Sequence, residues 1–117
     1  MREIKFRAWD KRNSRFLRHN IHIDGDGMIF WVFGYSCEYF PKEDVEIEVF
    51  TGLRDKNGKE IYEGDVLGKS SCGCPLVVEW LFGRFEARSC DSVLDRNYWK
   101  DCEVVGNIHE NPELIGK

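Results

Sequence analysis

Cys72-Gly73-Cys74 is the closest pair of soft metal ligands in the 117-residue chain, and Cys90, Cys102 and His109 add the other donors a zinc site would need. Structural zinc takes tetrahedral ligands, and a spacing of roughly two to four residues lets one turn aim both sulfurs at the ion. A single intervening residue fits that geometry poorly. Reduced thiols in a loop and on strands are therefore the expectation for all five cysteines, with no disulfide, no metal and no other cofactor. Asp24-Gly25-Asp26-Gly27 offers the first carboxylates of a calcium loop, but the glutamate such a loop needs at its twelfth position is here Tyr35. These aspartates are expected to bond to local backbone. A Cys–His nucleophile would need a base within hydrogen-bond reach, yet His22 sits in an apolar stretch, His109 lies near the C-terminus, and no local motif ties either to a cysteine. No catalytic residue is assigned, and the chain is expected not to be an enzyme.

Charge supplies the other chemistry. Residues 1–20 hold seven Lys/Arg (Arg2, Lys5, Arg7, Lys11, Arg12, Arg15 and Arg18) against two acids, whereas residues 21–50 hold one lysine against seven acids. The simplest account is two solvated strand faces. The alternative is association, in which those seven cations contact a protein partner or phosphates, with Trp9 or Phe16 available for stacking. A formal net charge of −4 opposes nucleic acid at long range.

Positioning these groups requires a folded chain, and the composition supplies one. Hydrophobic residues at 42% and aromatics at 14% exceed what disordered chains carry, and 117 residues suit one domain of ordinary size. No run approaches the roughly 20 apolar residues of a membrane span, and Met1-Arg2-Glu3-Ile4-Lys5 lacks the apolar core of a secretion signal. A cytoplasmic location is expected, with no membrane partner.

The periodicity is that of strands. Ile4, Phe6 and Ala8 alternate with Lys5, Arg7 and Trp9, and Arg15-Phe16-Leu17 returns after the turn formers Asp10 to Ser14. Asp24-Gly25-Asp26-Gly27 separates Ile21-His22-Ile23 from Met28 to Phe33, giving another hairpin, after which Gly34 to Phe40 reads as irregular. Pro41 to Asp44 forms a turn or one helical turn before the alternating strand Val45 to Phe50. Gly68 to Pro75 reads as a loop rich in Gly, Ser and Cys. Leu76 to Trp80 and Phe85 to Arg88 make a hairpin across Phe82-Gly83-Arg84, Ser92 to Lys100 fits either a loop or a short helix, and Glu103-Val104-Val105 is a last strand. Asn111-Pro112-Glu113 caps at most one helical turn.

The clearest turn chemistry lies at the centre. Asn57-Gly58 can adopt the positive φ of a tight hairpin, Asp55 can bond to backbone two residues on, and Glu63-Gly64-Asp65 redirects the chain into Val66-Leu67. Asp55, Asn57, Gly58, Gly64 and Asp65 are thus the candidate structural-turn residues of a corner between two strand systems.

Three blocks together resemble one family. They are Met1-Arg2-Glu3-Ile4-Lys5-Phe6-Arg7-Ala8-Trp9-Asp10, the central stretch Thr51 to Val66, and Val105-Gly106-Asn107-Ile108-His109-Glu110-Asn111-Pro112-Glu113-Leu114. In this order they resemble the YopX family of small proteins encoded by bacteriophages and prophages. The resemblance implies a mainly β fold with little helix: an SH3-like barrel portion at 51–117 and additional N-terminal β-hairpins at 1–50, within a single domain at 1–117. It implies no established activity and no catalytic residues. Residues 67–102 carry no matching motif, so Cys72-Gly73-Cys74 inherits nothing from it. Fold alone supplies no function. The expectation is a non-enzymatic accessory protein in the host cytoplasm that binds a phage or host protein, or copies of itself, with a nucleic-acid-binding barrel as the alternative.

Overall fold

The computed structural model describes residues 5–17, 20–26, 28–69, 72–81, 83–89 and 93–115. The fold is mainly β: among these residues helix occurs only as three short 3-10 segments, at Lys42–Asp44, Arg96–Asp101 and Pro112–Ile115. Among the described residues no helix is long and apolar enough to cross a membrane. The chain divides into two compact units, Phe6–Glu48 and a second formed by Lys5 with Val49 onward.

In the N-terminal unit β1 (Phe6–Asp10) pairs antiparallel with β2 (Arg15–Leu17), and β1 is flanked on its other side by the first half of β6 (Val45–Arg54). A second sheet runs β3 (Ile21–Ile23), β4 (Ile29–Phe33), β5 (Ser36–Phe40) in that order. Ala8, Leu17, Ile29, Phe40 and Val45 form the buried cluster, with Ile21, Trp31 and Ile47 packed on it. β1 departs from the expected alternation of one buried face: Arg7, Ala8, Trp9 and Asp10 are all buried, because both faces of this strand are covered.

Gly34 to Phe40, expected to be irregular, is a strand entered through a two-residue loop. Phe33 pairs with Ser36, and Gly34 holds φ 61. A glycine at the first loop position matches the right-handed twist of the flanking strands, so Gly34-Tyr35 closes a hairpin without an Asn-Gly signal.

In the C-terminal unit β6 continues to Arg54 and pairs with β7 (Glu60–Tyr62). A five-stranded sheet follows in the order β11-β10-β9-β8-β12, formed by β8 (Asp65–Lys69), β9 (Cys72–Leu81), β10 (Arg84–Arg88), β11 (Val93–Leu94) and β12 (Glu103–Asn107). Its core is Ile61, Leu67, Leu76, Val78, Ala87, Trp99 and Cys102. Trp99 lies on the 3-10 segment Arg96–Asp101 and donates its indole N–H to the Leu94 carbonyl; of the Ser92 to Lys100 stretch, Val93–Leu94 is a short strand followed by this 3-10 turn, and Ser92 lies outside the described residues.

The expected loop from Gly68 to Pro75 is also mostly strand. Lys69 pairs with Cys72, so β9 begins there, and residues 70–71 lie outside the described residues. The register shifts between Leu67 and Lys69, opposite Gly73-Cys74-Pro75. A proline, which has no N–H to give a ladder, is tolerated at such an irregularity.

Candidate functional site

The basic residues of the first hairpin are largely committed within the fold. Arg7 donates from Nε to Glu48 Oε1 at 2.9 Å, with both side chains buried, and its guanidinium lies 4.5 Å from the centre of the Phe16 ring. Arg12 faces Asp44 at 3.3 Å and Glu38 at 3.8 Å, over the Phe40 ring. Arg15 donates to Asp10 at 3.3 Å and stacks 4.8 Å from Trp31. Lys5 is ion-paired with Glu60, whose carboxylate also meets Arg54 at 3.5 Å. The Lys11 side chain is exposed and has no ionic partner among the described residues. Arg2 and Arg18 lie outside them.

Asp10 organises this hairpin. Its carboxylate accepts from the Arg12 N–H at 3.0 Å and from Asn13 Nδ2 at 2.8 Å as well as from Arg15. Burial raises its pKa, but the hydrogen bonds from Asn13, Arg15 and Arg12 outweigh that and hold it below the ordinary carboxylate value.

The central turn residues perform the same task with backbone donors. Asp55, buried, accepts from the N–H groups of Asn57 (2.8 Å) and Lys59 (2.9 Å) through Oδ1 and from Val104 (2.9 Å) through Oδ2. The turn is thereby tied to β12. Burial again pushes the pKa up, and the three backbone donors together with the Lys59 charge bring it below the ordinary value. Gly58 and Gly64 hold φ 82 and 88, where a side chain crowds the following carbonyl. The Gly64 N–H donates to Val78 O, its carbonyl accepts from Ile108, and Asp65 Oδ2 accepts from the Tyr62 N–H. The C-terminal block closes on itself: Asn107 Oδ1 accepts from His109 and Glu110, and Asn111 Oδ1 accepts from the Asn107 N–H. Residues that carry the family resemblance thus bind one another and backbone.

The metal-type donors do not converge among the described residues, where no group of three His, Cys, Asp or Glu could hold an ion. Cys102 is buried and Cys37 exposed. Cys72 and Cys74 lie on β9 with side chains outside the described set, and Cys90 is outside it altogether. Asp24 Oδ1 accepts from the Asp26 and Met28 N–H groups, both at 2.9 Å, so its carboxylate serves the turn.

The sequence did not mark the feature that stands apart. Trp80 on β9 is 53% exposed although its ring meets Phe85 of β10 edge-on at 4.7 Å. Beside the pair is a cleft of about 240 Å³ lined by Arg84, Phe85, Glu86, Leu94, Asp95 and Arg96 among others. Glu86 is ion-paired with Arg84, and the Asp95 carboxylate accepts from the Asn97 N–H at 2.9 Å. Arg96 is exposed and has no partner among the described residues. Val93, which also lines the cleft, and Tyr98 are 55% and 53% exposed. A second aromatic patch lies in the N-terminal unit, where Phe30 and Tyr39 pair at 4.5 Å and Tyr39 is 60% exposed.

These features define a mainly β protein whose charged motif residues stabilise the fold and whose exposed aromatics lie elsewhere. The model of the family described as YopX protein matches residues 5–116, and the chain belongs to that family. A crystal structure of protein EF1440 from Enterococcus faecalis is similar at 30% identity and TM-score 0.70, covering 98% of this chain and 99% of that one. The crystal structure of protein yopX from Bacillus subtilis shares the fold at 18% identity and TM-score 0.66, covering 100% and 98%. No curated protein matches the chain.

Proposed function

We propose that this chain is a non-enzymatic binding module for a protein partner, phage- or host-encoded, and acts in the cytoplasm as a phage or prophage accessory protein. The observation that carries the reading is Trp80, left half-exposed against Phe85, which lines the cleft together with Arg96, a cation that has no partner among the described residues. Tryptophan and arginine are the residues most enriched where binding energy concentrates, and leaving an indole in water is unfavourable unless something covers it. The nucleic-acid alternative is weaker, because Lys5, Arg7, Arg12 and Arg15 already face carboxylates and counterion release requires cations free to meet phosphate.

Affinity capture from induced host cells with wild-type protein and with Trp80→Ala tests this, after circular dichroism has shown both to be folded. A partner retained by the first and lost by the second is expected. Identical partner sets, or specific nucleic-acid binding tighter than about micromolar at physiological salt, would overturn it.

A further inference from the structure

The main chain of β10 leaves one ladder position open at the cleft. The Gly64 N–H donates to the Val78 carbonyl at 2.8 Å, so Val78 turns its main-chain groups away from β10. In an antiparallel pair the residue opposite then turns its own groups outward as well. That residue is Ala87, which pairs with Leu94 of β11. Phe85, two residues back along β10, must aim its N–H and C=O the same way. But β11 ends at Leu94, and the chain leaves at Asp95 for the 3-10 segment. Neither the β10–β11 register nor the turn and loop bonds among the described residues give the Phe85 N–H and C=O a partner, and Phe85 lines the cleft.

Resting on the binding reading above, we infer that this cleft takes an extended segment of the partner protein, which adds to β10 in line with β11. Strand addition draws affinity from main-chain bonds and specificity from alternate side chains. The partner residue opposite Phe85 exchanges both hydrogen bonds with it, and its side chain falls on the face that carries Phe85 and Trp80. An apolar side chain suits that position. An acidic neighbour suits Arg96, because Glu86 and Asp95 are engaged by Arg84 and the Asn97 N–H. The open position is short and lies between the charged Arg84 and Glu86, which limits unspecific edge pairing.

The test begins with amide exchange on the free protein. The Phe85 amide is expected to exchange at least about tenfold faster than that of Ala87, whose strand partner is in place. A displayed random peptide library is then selected on the immobilised full-length chain, and the enriched sequence is synthesised as the probe. An extended apolar–acidic sequence is expected, slowing exchange at Phe85. N-methylation of the one amide facing the Phe85 carbonyl should weaken it at least about tenfold, the loss of one well-placed bond with its neighbours. Arg96→Gln and Trp80→Ala should weaken it too, and Tyr39→Ala should not. A protected Phe85 amide in the free chain, no enriched sequence, or a probe indifferent to N-methylation at every position would overturn strand addition. A probe that depends on Trp80 but tolerates N-methylation sinks strand addition alone and leaves the binding reading standing. Unchanged cellular partners for Trp80→Ala sink the reading itself.

Discussion

The two units satisfy their polar groups in two ways, although Asp10 and Asp24 also cap backbone in the first and Lys5, Arg54 and Glu60 also pair in the second. In the N-terminal unit guanidinium groups lie on aromatic faces and meet carboxylates, as Arg7 does between Phe16 and Glu48 and Arg15 between Trp31 and Asp10. In the C-terminal unit the work falls to carboxylate and amide side chains that collect backbone N–H groups, as Asp55 and Asn107 do. Charge pairs depend on both partners being present, whereas a cap serves backbone groups that cannot be mutated away. The Arg7–Glu48 pair should therefore tolerate paired replacement, and the Asp55 cap should not.

The largest effect is expected at the buried ion pair. Arg7→Met leaves Glu48 buried without its cation and should cost about 3 to 5 kcal/mol, while Arg7→Met with Glu48→Leu should recover most of that loss. Denaturant melts check both, and a neutral Arg7→Met would mean that the cation is spare and open to a phosphate.

Next comes Asp55→Ala, which strands three backbone donors near the core; at about 1 kcal/mol or more for each, it should cost about 3 kcal/mol. No second substitution should rescue it. A compensating change that did so would erase the contrast between the units.

Gly58→Val and Gly64→Val should each cost about 1 to 2 kcal/mol or more through the left-handed backbone, and Lys59→Ala should stay within about 0.5 kcal/mol. Ser14, already at φ 52, should lose less on conversion to valine because the wild-type residue carries part of that strain. Melts of these four variants that coincide with wild type would show that the central corner does not hold the unit together.

Acid provides the finest comparison. Asp10 and Asp55 have pKa values held below 3.8, and the Lys5 hydrogen bond holds Glu60 below 4.5. Groups whose folded pKa is depressed contribute stability above the ordinary value and lose it as pH falls through the folded one. The thermal midpoint should thus be flat near neutrality and fall below these values. Asp55→Asn should flatten part of that slope, and an unchanged slope would remove Asp55 from the account.

Local chemistry was legible in the sequence. Asn57-Gly58, Glu63-Gly64-Asp65 and Asp24-Gly25 announce turns because a residue able to hold positive φ, or a short carboxylate, acts within a few residues of itself. The alternation of Phe6 to Asp10 and Val45 to Phe50 announced strands, and three motif blocks announced the family, so the mainly β class followed from sequence. Gly34-Tyr35 escaped notice because its signal is a lone glycine, and Cys72 to Pro75 because strand propensity there is low and only the pairing with β8 makes it strand.

What the tertiary structure alone decided is which charges were spent. Arg7 and Glu48 are 41 residues apart, and Asp55 and Val104 are 49 apart, so no local pattern connects them. Seven cations in the first 20 residues read as a solvated face or, as the alternative, a surface for a partner, but Lys5, Arg7 and Arg12 are met by carboxylates distant in sequence and Arg15 by Asp10 in its own hairpin. The cleft at Phe85 likewise exists only because β11 ends at Leu94 while β10 runs on. Sequence determines which groups a chain carries and where it can turn; the long-range pairing of strands decides which of those groups are left for another molecule.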